Sequence, residues 1–223
     1  MSARQPAHTR GDQTKRQLMR AAESLFAEQG LANVSVRAIV TAAGQRNESA
    51  LHYHFGGREG LIAALHEERT GQIREEREGM LANLLRGGGA LALHDLASVM
   101  VRPVFQLAGR DSGFRDYLKV FAHLVLFSGR QLSVLLAEYE AADVEEARRT
   151  LARTCPQLDP RLLDVRFENA ARFATLAMSK RARERGTFRG KQAEFFISNL
   201  VDTVAAMLAA APSTETLSLL DRI

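Results

Sequence analysis

Cysteine is nearly absent. Cys155 stands alone among 223 residues, so the chain cannot close a disulfide on itself, and such usage suits a reducing cytoplasm. Long apolar runs are missing as well: no window approaches the roughly 18 uncharged apolar residues that mark a membrane helix. The segment from Met1 to Gln13 is polar and lacks the apolar stretch of a secretory signal. There is no convincing two-residue alternation of apolar and polar side chains, the signature of half-buried strands. These absences exclude a disulfide scaffold and a membrane span, and they point to an all-α protein of the cytoplasm.

What is present can build a core. Apolar residues make up 46% of the chain and charged residues 25%, a balance that excludes a disordered protein. The net charge of +4 is modest, but it is unevenly placed. Arg4, Arg10, Lys15, Arg16 and Arg20 face only Asp12 within the first 22 residues, which carry the whole excess. A basic arm over about residues 1–13, leading into a helical unit, is the footprint of a phosphate-binding end. A solvated tail has the same composition.

Periodicity divides the chain into helices. Thr14 and Gln17 have capping-box spacing, and Leu18, Ala21, Ala22, Leu25 and Phe26 then form one apolar stripe. The spacing predicts a first helix over 14–29, closed by a left-handed Gly30. Ser35 can cap a second helix whose Val36, Ile39, Val40 and Ala43 face inward, and Gly44 ends it. Asn47 is placed to cap a short third helix ending in Leu51-His52-Tyr53-His54-Phe55. Gly56-Gly57 separates this from a long helix over 58–85. The second half of that helix, Glu67 to Glu78, mixes its charges as a solvated face does. Gly87-Gly88-Gly89 marks a clear break. Beyond it helices are expected at 90–107 (bent near Pro103), 113–128, 130–153, 160–185 and 190–211, with Pro212 after the last.

Residues 14–61 thus form a supporting helix and a helix-turn-helix, which carries a short polar-faced helix outward as a DNA groove requires. Ala21-Ala22, Leu25-Phe26-Ala27-Glu28-Gln29-Gly30, Ser35-Val36-Arg37-Ala38-Ile39-Val40 and Ala42-Ala43-Gly44 come in order. Leu51, Tyr53-His54-Phe55-Gly56 and Arg58-Glu59-Gly60-Leu61 follow. On these residues, about a fifth of the chain, it resembles the tetracycline-repressor (TetR) family of bacterial transcription factors; the remainder is similar only in length and helical character. The resemblance implies a three-helix DNA-binding domain over 1–60 and a helical ligand-binding and dimerisation domain over 61–223. There are two departures. His52 stands where the family commonly has a phosphate-contacting Tyr. The turn from Gly44 to Leu51 is one residue longer than the commonest form, which leaves the base contacts across Gln45 to Ser49 open by one position.

Arg46, Asn47, Glu48 and Ser49 lead the third helix, with Gln45 before them. An Arg fork can read guanine, Asn adenine and Glu cytosine, while Asn47 and Glu48 have competing uses as cap and first-turn carboxylate. Thr14, Arg37, Tyr53 and Arg58 are the phosphate candidates, with Ser35, His52 and His54 beside them. Phe55 reads as structural, and Ala50 and Leu51 face either the core or a thymine methyl. In the family, the region beyond residue 90 encloses an effector pocket. The resemblance implies that some of Met100, Phe105, Phe121, Leu124, Phe127, Tyr139, Phe167 and Phe173 line it, the rest being core. Arg102, Lys119, His123 and Arg130 lie beside apolar stretches and could receive an acidic group or snorkel to the surface.

Metal and enzyme signals are weak. On a helix, His52 and His54 point about 200° apart, so one ion cannot take both, and the sequence has no Cys/His cluster. Gly87-Gly88-Gly89 lacks the Lys-Ser/Thr of a phosphate loop and follows no strand. Nothing in sequence beside Cys155 obviously lowers a thiol pKa. No catalytic residue, metal or cofactor is expected.

The expected protein is therefore a homodimeric, ligand-responsive repressor. Its partners are double-stranded operator DNA, palindromic or nearly so, and a small apolar or amphipathic effector that releases it. It is cytoplasmic, and nucleoid-associated when on DNA. The last two long helices would form the dimer, on the apolar content of Phe167, Ala170, Ala171, Ala174, Leu176 and Ala177 and of Phe195, Phe196, Leu200, Val204, Met207 and Leu208. A regulator with no small-molecule effector, and an all-α binding protein or enzyme with a vestigial helix-turn-helix, stay open at this point.

Overall fold

The computed structural model describes residues 10–87, 91–127, 152–153, 158–184 and 188–222, with backbone alone for Arg10 and residues 121–127. All regular structure among these residues is helical. Helix α1 (Arg10–Gln29) starts earlier than its sequence signal suggests. Residues 10–13 already lie in the helix, with Asp12 in the first turn, where a carboxylate is favoured. Thr14 is therefore inside α1 and not its cap. Leu18, Ala22 and Phe26 form the buried stripe as expected.

A 3-10 turn over Leu31–Asn33 leads to α2 (Val36–Ala42), whose cap Ser35 accepts the Ala38 amide at 3.2 Å. Gly44, at a φ of 69°, closes α2 with a left-handed C-terminal motif. Its amide donates to the Thr41 carbonyl at 3.0 Å, and the Gln45 amide donates to that of Val40 at 2.9 Å. Helix α3 (Ser49–Phe55) follows, and after Gly56-Gly57 comes α4 (Arg58–Arg86). A β-carbon at Gly60 would lie 1.8 Å from the Phe55 carbonyl oxygen. Only glycine lets α4 pass that close to the end of α3.

Two cores result, and α4 runs through both. Leu61 and Leu65 join Leu18, Phe26, Ile39, Val40 and Leu51 in the first, and Ile73 belongs to the second. The second core is built by α5 (Leu93–Arg110), α6 (Ser112–Phe127), α7 (Pro160–Arg183) and α8 (Lys191–Ala209). Helix α5 packs on α8, α6 on α7, and α7 on α8. Phe114, Met178, Val201 and Leu208 are almost wholly buried at its centre, and burying each such side chain contributes about 1.5–3 kcal/mol. Asp159-Pro160 opens α7 as expected, with Asp159 Oδ1 accepting the Arg161 amide at 2.8 Å. Helices α7 and α8 are antiparallel: Arg166 reaches the Leu208 carbonyl at one end, and Arg181 lies over the Phe196 ring at the other.

A further short helix, α9 (Thr214–Leu220), was not expected from the sequence; Ser213 caps it by accepting the Thr216 amide at 3.2 Å. The expected helix over 130–153 and Cys155 lie outside the described residues, apart from the helical residues 152–153. No single helix among the described residues is long and apolar enough to cross a membrane.

The charged half of α4 departs from its expected role. Glu67, Glu68, Glu75 and Glu78 are exposed, but Arg69 is only 5% exposed and lies where the two cores meet. Helix α1 packs on α6 there. Beside it, His66 Nδ1 lies 2.9 Å from the Tyr117 hydroxyl, and both line a small apolar cleft with Phe26, Leu65 and Val120. Burial lowers the His66 pKa to about 4, so the ring is neutral near pH 7.

The folded His66 thus binds its proton more weakly than the unfolded chain does. Its stabilising share is complete above the unfolded pKa of 6.5 and is lost as pH falls towards about 4. Between pH 7 and pH 5 wild-type stability should fall by about 2 kcal/mol on this account. Urea unfolding of wild type and His66→Gln at both pH values checks it. The variant should show a correspondingly smaller drop, and equal drops would contradict the assignment.

Candidate nucleic-acid interface

The second helix, its turn and the third helix present one outward polar face. Arg37 in the first turn of α2 is exposed, as are Arg46, Asn47, Glu48 and Ser49 ahead of and at the start of α3. Helix α3 begins at Ser49, so Arg46, Asn47 and Glu48 approach the helix and are not part of it. The turn is held in two places, by the left-handed Gly44 and by Asn47. Asn47 Oδ1 accepts the Ser49 amide at 2.5 Å, which satisfies a backbone donor that α3 itself cannot. Gln45 is half-buried, and its side-chain amide donates to Gln17 Oε1 on α1 at 3.3 Å. The turn is thus tied to the supporting helix. Arg46 has no such tie, since among the described residues no hydrogen bond or ion pair holds its side chain.

Along α3, Leu51 is fully buried and so belongs to the core, while Ala50 is half-buried. His52 is exposed, and Tyr53 is 85% exposed. That figure decides the role of Tyr53, because a ring so open packs no core. His54 is half-buried and meets the Tyr53 ring edge-on, with centroids 5.1 Å apart. Phe55 packs against the first core, and Lys15 Nζ lies 6.0 Å from its ring centroid. With Arg16 and Arg20, which are exposed on α1, Lys15 adds positive charge to this end of the molecule.

Three of the DNA-contact candidates chosen from the sequence sit in structural positions. Thr14 is half-buried within α1. Ser35 caps α2. Arg58 turns inward: its guanidinium lies over the Phe26 ring at 5.6 Å and donates to the carbonyls of Leu31 and Val34. It braces the loop between α1 and α2. The Gln17 tie to the turn was missed by sequence reasoning, since no local pattern links residues so far apart.

The effector candidates are spread over different surroundings. Phe167 is buried in the second core, and Met100 is half-buried against it. Phe105 meets the rings of Phe188 and Phe196 at centroid distances of 5.5 and 6.3 Å. Phe173 is 38% exposed on α7. Phe121, Leu124 and Phe127 lie in α6 with only their backbone described, and Tyr139 lies outside the described residues, as does Arg130. Lys119 pairs with Asp116 at 2.7 Å. Among the described residues no group of three His, Cys, Asp or Glu side chains is arranged to hold a metal ion.

Comparison with known proteins agrees with this layout. Residues 18–65 match the family model described as "Bacterial regulatory proteins, tetR family", and residues 98–211 match "Tetracyclin repressor-like, C-terminal domain". No curated protein matches the chain in sequence. Among solved structures, AmtR of Mycobacterium smegmatis is 20% identical, with 99% of this chain and 98% of that one covered, at a TM-score of 0.54. The fatty acid degradation regulator FadR of Bacillus halodurans is 17% identical over 88% of this chain and 99% of its own, at 0.57. FadR of Bacillus subtilis, solved in complex with stearoyl-CoA, is also 17% identical over 88% and 99%, at 0.50. At such identities the likenesses speak for the fold alone. The two family models, by contrast, cover both the helix-turn-helix and most of the helical body: the chain belongs to the tetracycline-repressor family and is a DNA-binding transcription regulator, not an enzyme.

Proposed function

We propose that the chain is a homodimeric repressor, held on a palindromic or near-palindromic operator until a small apolar or amphipathic effector releases it. The observation that carries the DNA half of this reading is the exposed row from Arg46 to Ser49, continued by His52 and Tyr53 on α3. It is mounted on a turn anchored at Gly44 and Gln45. Within the row, Arg46 is the base reader. Asn47 holds the Ser49 amide with its side-chain oxygen and keeps the two N–H donors of its amide nitrogen for a base. Tyr53 and Arg37 are the phosphate contacts, Tyr53 taking the part that His52 is too short to fill. Arg58 supports the surface from behind. The DNA-binding domain and the body divide within the first turns of α4, near residue 60, with no linker between them.

The dimer face follows from what the protomer leaves open. Phe167, Ala170, Ala174, Leu200, Val204 and Leu208 are all spent on the protomer's own core. Leu176 and Phe195 remain 48% and 74% exposed, with Val165 and Phe173 also open on α7. These outward side chains of the α7–α8 pair are the ones offered to a second copy. A regulator of this kind acts in the cytoplasm, on the nucleoid. Its effector is an apolar body that is uncharged or negatively charged. The stearoyl-CoA complex of the B. subtilis FadR makes a long acyl thioester the first compound to test by thermal shift. Stabilisation by cationic lipophilic dyes alone would argue against this class.

On a duplex selected by the wild-type chain from random DNA, Arg46→Ala should lower discrimination against scrambled sequence by about 1–3 kcal/mol. Arg37→Ala should weaken both duplexes alike and reduce the salt slope by about 1. Fluorescence anisotropy at several salt concentrations reads both effects. An equal loss on both duplexes for Arg46→Ala would make it a phosphate contact instead.

Sedimentation tests the dimer face. Wild type should run as a dimer at micromolar concentration, and Leu176→Glu combined with Phe195→Glu should run as a folded monomer. A variant that stayed dimeric would place the interface elsewhere.

A further inference from the structure

We propose that Arg69 is a positioning residue for DNA binding: it locks the helix-turn-helix to the helical body at one orientation, through Glu23 on one side and Asp111 on the other. The inference rests on the DNA-binding reading, but its geometry does not. Arg69 Nε donates to Glu23 Oε1 at 2.6 Å and Nη2 to Glu23 Oε2 at 2.7 Å, a two-pronged pairing. Nη1 donates to Asp111 Oδ2 at 2.8 Å and to Gln72 Oε1 at 2.9 Å. Four of the five guanidinium N–H donors are thereby used. The fork is rigid and planar, so it fixes angles as well as distances.

The partners come from both sides of the joint. Glu23 is on α1, three residues short of Phe26 in the first core, and is 3% exposed. Asp111 stands between α5 and α6, at the edge of the second core. Its other oxygen, Oδ1, accepts the Gly113 amide at 2.8 Å. One carboxylate thus holds both the start of α6 and the guanidinium. The guanidinium also lies 5.6 Å from the Phe114 ring centroid on α6. A β-carbon at Gly113 would come within 2.7 Å of Arg69 Nη2 and 3.0 Å of Glu23 Oε2, so the first turn of α6 is shaped around the ion cluster.

Burial raises the Glu23 pKa and Arg69 pulls it back, whereas at the more open Asp111 burial is outweighed by Arg69, the Gly113 amide and Arg20 together, which keep the carboxyl below its ordinary value. A shift of α6 in the body reaches α1 through Asp111, Arg69 and Glu23 in turn.

Removing Arg69 alone would orphan a buried carboxylate, so the first test variant replaces the pair, Glu23→Leu with Arg69→Met. Exchange of a buried pair for apolar residues of similar size commonly leaves stability intact. The second variant, Asp111→Asn, alters only the half-exposed end of the cluster. In a Cys155→Ser background, spin labels at Thr41→Cys on α2 and Gln106→Cys on α5 report the distance between helix-turn-helix and body, with unlabelled chain in excess. Both variants should broaden a distance distribution that is narrow in the parent. Affinity for the selected duplex should fall at least tenfold in the pair variant, with affinity for scrambled duplex unchanged. An unchanged distribution in both variants would overturn the proposal, whatever DNA binding does. So would a broadened distribution with full affinity for the selected duplex. If the pair variant does not fold, Asp111→Asn decides by the same readouts. Failure of the parent chain to prefer any duplex would instead count against the proposed function, and the distance measurement would still judge the joint.

Discussion

A guanidinium buried between two carboxylates is the contact on which this architecture turns. Taking the charges of Arg69 and Glu23 out of water costs several kcal/mol each, and close, well-aligned hydrogen bonds are needed to offset it. The geometry around Arg69 meets that demand with contacts of 2.6 to 2.9 Å. Apolar burial alone would hold α1 against α6 but would tolerate small rotations. The ion cluster removes that latitude where the first core meets the second. A transcription regulator of this family presents its third helix from the first core, so the setting of that joint decides where α3 points.

The polar surface at the other end follows the same economy. At the corners of the helix-turn-helix several side chains are committed to holding the backbone and the turn. Ser35 is used on Ala38, Asn47 on Ser49, Gln45 on Gln17 and Arg58 on two carbonyls. Arg37, Arg46, Glu48, Ser49, His52 and Tyr53 are exposed beside them, and they span α2, the turn and α3. A rigid mount with a few open side chains suits groove reading, since little conformational entropy is then lost on binding.

Much of this was legible in the sequence, for a physical reason: caps, glycine turns and apolar stripes act over one or two turns of chain. Ser35, Gly44 and Asp159-Pro160 announce their helix ends locally, and the structure keeps them. Thr14 misleads, because adding residues to an existing helix is easy once it is nucleated, and residues 10–13 extend α1 past the cap signal. Arg69 was hidden within a run of alternating charge that looks solvated. Its partners lie 46 residues before it and 42 after it, and only the fold brings them together. The apolar faces of α7 and α8 show a related limit. Periodicity says that Phe167 and Leu200 are buried but not whether their own chain or a second copy covers them; in the fold their own chain does, while Leu176 and Phe195 stay exposed.

Selection of binding sites from random duplex DNA by the wild-type protein tests whether two copies of this chain read DNA symmetrically through the surface around Arg46 and α3. A symmetric dimer should enrich one inverted repeat, its half-sites separated by about one helical turn, roughly 10 base pairs, or a multiple of it. Enrichment of a single asymmetric site, or of no sequence at all, would contradict it.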